Sequence, residues 1–149
     1  MFISILFLYI GLIISCSKTT SNGRVPFKLK SYNPSSVQLN QPITFNFEFS
    51  HPYSSKVTDT LHVIVKYKTC TLTTPDTIQY VLPVFENAAN QTCQLEYKFN
   101  YGSGGNLNGC SNSNGQVLSD SATFYFWLID KNQNSSDTIQ SNKIFLQQN

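Results

Sequence analysis

The feature that most constrains this chain is a strict alternation of apolar and polar residues in several short runs. The clearest run contains Ile43, Phe45, Phe47 and Phe49, which are separated by Thr44, Asn46 and Glu48. Successive side chains of a β-strand point to opposite faces, whereas a helix repeats about every 3.6 residues. This period of two therefore predicts a strand with one buried and one solvated face.

Similar runs recur along the chain, separated by turn residues. They cover residues 27–30, 37–39, 61–68, 78–84, 95–101, 122–129 and 138–146. Pro83 cannot donate to a β-ladder, so we expect its strand to lie at a sheet edge or to end there. The run that contains Tyr125 and Trp127 is apolar on both faces, which favours a central strand or one whose outer face is covered. Together the runs predict an all-β chain folded as a two-sheet antiparallel sandwich of about seven strands.

Charge and composition argue against a nucleic-acid-binding protein. The chain has 10 Lys and Arg against 8 Asp and Glu, a net charge of +2, and its lysines are scattered. A protein that binds nucleic acid is expected to concentrate basic residues in a patch. We therefore predict no nucleic-acid partner.

The N-terminus carries an apolar run, from Phe2 to Ile14, interrupted only by Ser4. It is shorter than the roughly 20 residues of a spanning helix and matches the roughly 7–15 of a signal-peptide core. The residues Ile13-Ile14-Ser15-Cys16 that follow resemble the lipobox of bacterial lipoproteins, although no Lys or Arg precedes the run. A secretory signal with an incidental Cys is the alternative.

The lipobox resemblance implies that residues 1–15 are removed and that Cys16 carries a diacylglycerol thioether and an amide-linked third chain. Residues 16–26 are then a flexible tether, and residues 27–149 form the domain. Such a protein is anchored by lipid in the outer membrane of the cell envelope. Related lipoproteins can carry an acidic export signal after the Cys, and its absence here favours the periplasmic face over the surface.

If Cys16 is lipidated, Cys70, Cys93 and Cys110 remain, so at most one intramolecular disulfide can form. In a simple up-and-down strand order Cys70 and Cys110 emerge at one end of the sandwich and Cys93 at the other. A disulfide needs Cα atoms within about 7 Å, so we predict a Cys70–Cys110 bridge. The chain has no Cys-x-x-Cys pair, which argues against a metal site.

The sequence contains no recognisable catalytic constellation. It lacks a Gly-x-Ser-x-Gly motif and any pairing of carboxylates or histidines that suggests acid–base work. Asp130, Asn132, Asn134 and Asp137 offer oxygen ligands at close spacing, but an EF-hand also needs a central Gly and a terminal Glu. We favour a turn capped by these side chains, and we predict a non-enzymatic protein without a cofactor.

Two further sets of residues have both a structural and a functional interpretation. Tyr125 and Trp127 share a strand face and would form a ligand platform if exposed, although core packing is the favoured interpretation. Four Asp-Ser/Thr-aliphatic triplets resemble an O-glycosylation signal of exported Bacteroidetes proteins, or else mark strand entries. Their acceptor residues are Thr60, Thr77, Ser121 and Thr138.

The segment from Val37 to Phe49, followed much later by Phe124 to Asp137, resembles the immunoglobulin-like domains of small Bacteroidetes envelope lipoproteins. Their penultimate strand often runs into an Asp-x-x-Gly-Asn-x-Ser turn, and here Gln133 replaces the Gly. The resemblance implies an immunoglobulin-like, fibronectin III-like sandwich in the envelope and no particular activity.

The function expected from all this is a membrane-anchored, non-enzymatic module that binds another envelope protein through a sheet edge or its end loops. The alternative is a carbohydrate-binding accessory lipoprotein, in which Tyr125 and Trp127 stack on a glycan.

Overall fold

The structure, a computed structural model, describes residues 25–51, 59–70, 77–82, 91–102, 107, 109–130 and 132–148. These residues form strands and connections, and no helix occurs among them. The strands are β1 (Phe27–Asn33), β2 (Ser36–Gln38), β3 (Pro42–His51), β4 (Thr60–Tyr67), β5 (Thr77–Val81), β6 (Gln91–Asn100), β7 (Cys110–Ser111), β8 (Val117–Leu118), β9 (Asp120–Ile129), β10 (Ile139–Gln140) and β11 (Ile144–Gln147). Within this described part of the chain, no helix is long and apolar enough to cross a membrane.

The strands form two main sheets and one small hairpin. The smaller sheet has the order β1-β3-β6, and the larger has the order β2-β11-β9-β4-β5, with β10 also paired to β9. All neighbours are antiparallel except β2 and β11, which run parallel. The hairpin β7-β8 lies between β6 and β9 along the chain. The expected number of strands is exceeded because several elements are only two or three residues long.

The buried faces of the two sheets meet in a phenylalanine-rich core. Phe45 and Phe47 of the smaller sheet contact Phe126 of the larger sheet, with ring centroids 4.9 and 4.8 Å apart. All three rings are at most 1% exposed. Burying one such ring contributes about 1.5–3 kcal/mol, so this alternating pattern is what holds the sheets together. The predicted two-layer all-β architecture is thus present.

The C-terminal strand differs from its prediction. The run 138–146 is not one strand but two short ones, β10 and β11, on either side of a break at residues 141–143. Two backbone N–H groups of β9 donate to serine hydroxyls instead of to the backbone of a neighbouring strand. Ser141 Oγ accepts from Phe124 N, and Ser136 Oγ accepts from Leu128 N. Buried N–H groups need such partners, so these two serines replace a longer ladder.

The N-terminal boundary of the domain also differs slightly. Val25, which the sequence placed in the tether, is only 4% exposed and joins the core cluster. The chain enters the sandwich at the end where β3 finishes and β6 begins. There, Phe27 of β1 and Cys93 of β6 are both paired with Phe49 of β3. We call this the entry end.

Candidate functional site

The opposite end of the sandwich is closed by a disulfide between Cys70 and Cys110, with a Cα–Cα distance of 5.8 Å. The bridge spans 40 residues and ties the segment after β4 to the hairpin that follows β6. The predicted pairing is therefore present, and we call this the disulfide end. Cys93 is a free, half-buried thiol, and burial followed by the charge of Asp59 raises its pKa.

Asp120 holds the disulfide end in place. Its carboxylate accepts hydrogen bonds from Thr69 N at 3.0 Å, Thr69 Oγ1 at 2.9 Å and Ser121 N at 2.7 Å. Burial would raise the pKa of Asp120, but these bonds and one from Cys70 N outweigh it and lower the pKa below its ordinary value. Cys110 Sγ lies 3.0 Å from Asp120 Oδ2. Because a disulfide sulfur carries no proton, this is a close contact rather than a hydrogen bond.

Two clusters of potential metal ligands have structural roles instead. Cys70, Cys110 and Asp120 place one ligand atom each within 4.8 Å of one another, but both sulfurs are bonded in the disulfide and offer no thiolate. In the turn after β9, the Asp130 carboxylate accepts from Asn132 N and Asn134 N, both at 2.8 Å, and from Asn134 Nδ2 at 2.9 Å. These donors make Asp130 the cap of an Asx turn.

The outward side chains of the larger sheet form a surface that we call the aromatic face. Its members are Ser36, Gln38, Thr60, His62, Ile64, Lys66, Thr77, Gln79, Val81, Ser121, Thr123, Tyr125, Trp127, Ile129, Gln140, Phe145 and Gln147. Tyr125 and Trp127 lie here half-buried, so the favoured expectation that they belong to the core is wrong. The alternation along β9 sends Phe124, Phe126 and Leu128 to the core instead.

The rings of the aromatic face are partly covered by their neighbours. His62 stacks on Trp127 from the adjacent strand, with centroids 5.1 Å apart and planes 18° apart. Lys66 Nζ lies 4.8 Å from the centroid of the Tyr125 ring, a cation–π contact. Burial lowers the pKa of His62 from its ordinary value, which favours the neutral imidazole. His62 is therefore part of a ring pair with Trp127.

The outward side chains of the smaller sheet, the polar face, are of a different kind. They are Lys28, Lys30, Thr44, Asn46, Glu48, Gln94, Glu96, Lys98 and Asn100. Lys30 pairs with Glu48 at 3.2 Å, and Lys98 pairs with Glu96 at 3.0 Å. Both glutamates of this surface are therefore paired with a lysine of the same surface.

A groove lies where the aromatic face meets the disulfide end. On β9, Ser121 is paired with Phe145 of β11 on one side, and its carbonyl accepts from Lys68 N on the other. Because the small Ser121 side chain lies between two longer ones, it leaves this groove, whose volume is about 440 Å³. Phe145 forms one wall of the groove and is 57% exposed. The alternation in the run 138–146 puts Phe145 on the other face of its strand from Ile144 and Leu146. No local pattern indicates which strand lies beside it.

The four predicted glycan acceptors differ in accessibility. Thr77 and Thr138 are exposed, Thr60 is half-buried within β4, and Ser121 is 7% exposed at the floor of the groove. Attachment to a folded domain requires an accessible hydroxyl, so Thr77 and Thr138 are the better-placed candidates. Cys16, the predicted lipid attachment site, lies outside the described residues.

Comparisons with known proteins indicate the fold only. No family model and no curated protein matches the chain. The structure is similar to parts of an alkylpurine DNA glycosylase from Pseudomonas fluorescens (TM-score 0.51, 9% identity), covering 83% of this chain and 30% of that one. It is also similar to parts of β-glucosidases from Listeria innocua (TM-score 0.51, 10% identity) and Erythrobacter marinus (TM-score 0.50, 8% identity), covering 83% of this chain and 16% and 15% of theirs.

Proposed function

We propose that this protein is a lipid-anchored, non-enzymatic module of the bacterial cell envelope that binds another envelope protein through its aromatic face. The anchor part rests on the lipobox-like residues Ile13-Ile14-Ser15-Cys16 and on the apolar run before them. Several acyl chains on one Cys hold a protein in a membrane far more firmly than a single chain does. The disulfide is compatible with an envelope location without indicating one.

The position of the entry end supports this arrangement. The tether joins the sandwich beside Val25, at the end opposite to Cys70 and Cys110. A flexible tether of this length reaches roughly 15–20 Å. The entry end would then face the membrane, and the disulfide end would point away from it.

We also propose that the sandwich is immunoglobulin-like, as in fibronectin III domains. Three neighbouring strands β1-β3-β6 facing a sheet ordered β11-β9-β4-β5 follow the A-B-E and G-F-C-C′ order of that fold. The parallel pairing of β2 with β11 suits a first strand that switches sheets. Gln133 adopts φ of 65°, the left-handed conformation favoured by glycine, at the position where related turns carry Gly.

The observation that carries the proposed binding role is the composition of the aromatic face. Val81 is 68% exposed, and the half-buried Tyr125 and Trp127 lie on the same outer surface. Protein interfaces are enriched in Tyr and Trp, and an apolar patch left in water favours association. Lys66 gives this face a cationic bias, and no Asp or Glu points outward from its described strand positions. The partner surface is therefore expected to be apolar with acidic residues.

The alternative, a glycan stacked on Tyr125 and Trp127, fits this geometry less well. A sugar ring stacks on an open aromatic face, and one face of each ring is already occupied, by Lys66 and His62 respectively. Each ring therefore offers at most one open face, and the aliphatic Ile64 and Val81 lie on the same surface, which suits packing against protein side chains. We therefore place the protein partner first.

The binding proposal is tested by crosslinking and purification of the full-length lipoprotein from its native envelope. We expect a defined protein to co-purify with the wild type and to be at least tenfold depleted with Trp127→Ala, on the scale of an interface hot spot. Lys30→Ala on the polar face is the matched control and retains the partner. Equal recovery with both variants contradicts the role of the aromatic face.

The anchor and the glycans are tested separately. Cys16→Ala is expected to release the protein from the membrane fraction or to stop its processing, and an Ala variant that still partitions with outer membrane contradicts the lipobox interpretation.

For glycosylation, the intact mass of the native protein is expected to exceed the summed mass of peptide and lipid. A mass equal to that sum removes all four acceptor sites.

A further inference from the structure

The groove at the disulfide end has a chemistry different from that of the rest of the aromatic face. Phe145 is more than half exposed, and among the described residues no ring or cation covers it, unlike Trp127 and Tyr125. It forms an apolar wall. The opposite wall is Lys68, whose ammonium group is exposed.

The groove is otherwise lined by small hydroxyl and amide side chains. Ser121 forms the floor, Ser119 and Thr69 lie towards the disulfide end, and Gln147 extends from β11 next to Phe145. The groove has a volume of about 440 Å³ and is largely open to solvent, so a ligand would lie in it with one side in water. Asp120 contributes little to ligand binding because its oxygens already accept bonds from Thr69 and Ser121.

We propose that this groove binds a saccharide, at a site separate from the protein-binding part of the aromatic face. A pyranose ring has one face of C–H groups and a rim of hydroxyls. The open ring of Phe145 matches the C–H face, and Lys68 with Gln147 can donate to the rim hydroxyls. A purely apolar ligand would contact Phe145 but offer no acceptor to Lys68, and an inorganic anion would contact Lys68 but not cover the Phe145 ring.

The position of the groove suits a ligand outside the membrane. It lies at the disulfide end, opposite the point where the chain enters the domain at Val25. The backbone of the segment that carries Lys68 is held by the disulfide and by the bonds from Thr69 to Asp120. A preformed site loses less conformational entropy on binding.

The test is a titration of the full-length protein with methyl glycosides of glucose, galactose, mannose, N-acetylglucosamine and glucuronic acid, followed by the backbone amide signals in NMR. We expect at least one glycoside to shift the amides of Lys68, Ser121 and Phe145, with Kd on the order of 1 mM. Phe145→Ala is expected to weaken binding by about tenfold, the upper range of an aromatic contact, and Phe145→Trp to restore it. Because Phe145 is exposed, we expect both variants to fold like the wild type.

Trp127→Ala separates this proposal from the proposed function, because it should remove the protein partner and leave glycoside binding unchanged. The saccharide proposal is overturned if none of the glycosides shifts these amides, or if Phe145→Ala binds as well as the wild type. It is also overturned if a hexaglutamate peptide shifts the same amides and the glycosides do not, since the groove then belongs to the protein interface.

Discussion

The polar and aromatic faces of the sandwich follow the same alternation and yet leave very different groups in water. On the polar face, Lys30 is paired with Glu48 and Asn46 Nδ2 donates to Ser31 Oγ at 3.1 Å. On the aromatic face, ring and cation contacts such as His62 with Trp127 replace ion pairs. Alternation specifies which side chains point outward, and only their chemistry separates a solvated face from a binding face.

The difference has an energetic meaning. The ion pairs of the polar face lie at the surface and contribute little to stability, but they neutralise both carboxylates of that face. The aromatic face keeps apolar area in water at Val81, and binding of a protein partner would remove that area from water. Four predictions sharpen this comparison, beginning with the largest effect.

The largest effect is expected at the disulfide end, where the aromatic face ends in the groove. Replacing Cys70 and Cys110 together by Ser should lower the free energy of unfolding by about 4 kcal/mol, because a 40-residue loop is no longer closed in the unfolded chain. Chemical denaturation measures this loss. Cys93→Ala is the control, with a loss of about 1 kcal/mol. A double variant as stable as the control contradicts the structural role of the bridge.

A smaller loss is expected when Asp120 is replaced by Asn. The amide keeps the shape but loses the charge-assisted bonds from Thr69 and Ser121, which should lower stability by about 1–3 kcal/mol at neutral pH. Because folding lowers the pKa of Asp120 below its ordinary value of 3.8, its contribution is present above pH 3.8 and is lost as the pH falls through the folded pKa. Unfolding curves at several pH values should therefore converge for wild type and Asp120→Asn in acid. A difference that persists below both pKa values points to another cause.

Replacing one side chain by Ala on either face should lower the free energy of unfolding only slightly, whereas only the variant on the aromatic face should lose the partner. Lys30→Ala removes an exposed ion pair and should lower stability by less than about 0.5 kcal/mol. Trp127→Ala removes a half-buried ring and should lower it by about 1 kcal/mol, well below the roughly 3–5 kcal/mol of a core aromatic. Thermal or denaturant unfolding measures both. A core-sized loss for Trp127→Ala would mean that this ring serves the fold rather than a partner.

The smallest effect is spectroscopic and tests the ring pair itself. Trp127 is the single Trp of the chain, and a protonated imidazole stacked on it should quench its fluorescence. Since burial lowers the pKa of His62, the quenching midpoint should lie below 6.5 and disappear in His62→Gln. An unchanged titration in His62→Gln would show that the two rings are not in contact in solution.

The two-layer fold and the disulfide could be predicted from the sequence because both depend on strong local patterns. Alternation at Phe45 and Phe47 indicated a buried face, and strand direction alone put Cys70 and Cys110 at one end. The break in the last strand was missed because an isolated Ser carries no sign that it will accept from a neighbouring strand, as Ser136 and Ser141 do.

The candidate sites were only partly predictable, because they depend on which strands become neighbours. Tyr125 and Trp127 were recognised as a pair on one face, but an apolar run cannot by itself say which face is covered. The groove depends on Phe145 lying beside Ser121, a pairing of strands more than twenty residues apart that no local pattern encodes. Its small floor and larger walls become visible only in the assembled sheet.

The most direct test of the account is site-specific photocrosslinking of the full-length protein in its native envelope, with p-benzoylphenylalanine placed once on each face. Thr123 lies on the aromatic face opposite Lys66, and Thr44 lies on the polar face opposite Lys98. The account predicts a discrete crosslinked protein from position 123, which disappears when Trp127→Ala is added, and none from position 44. Equal crosslinking from both positions, or a product from position 123 that persists with Trp127→Ala, would contradict it.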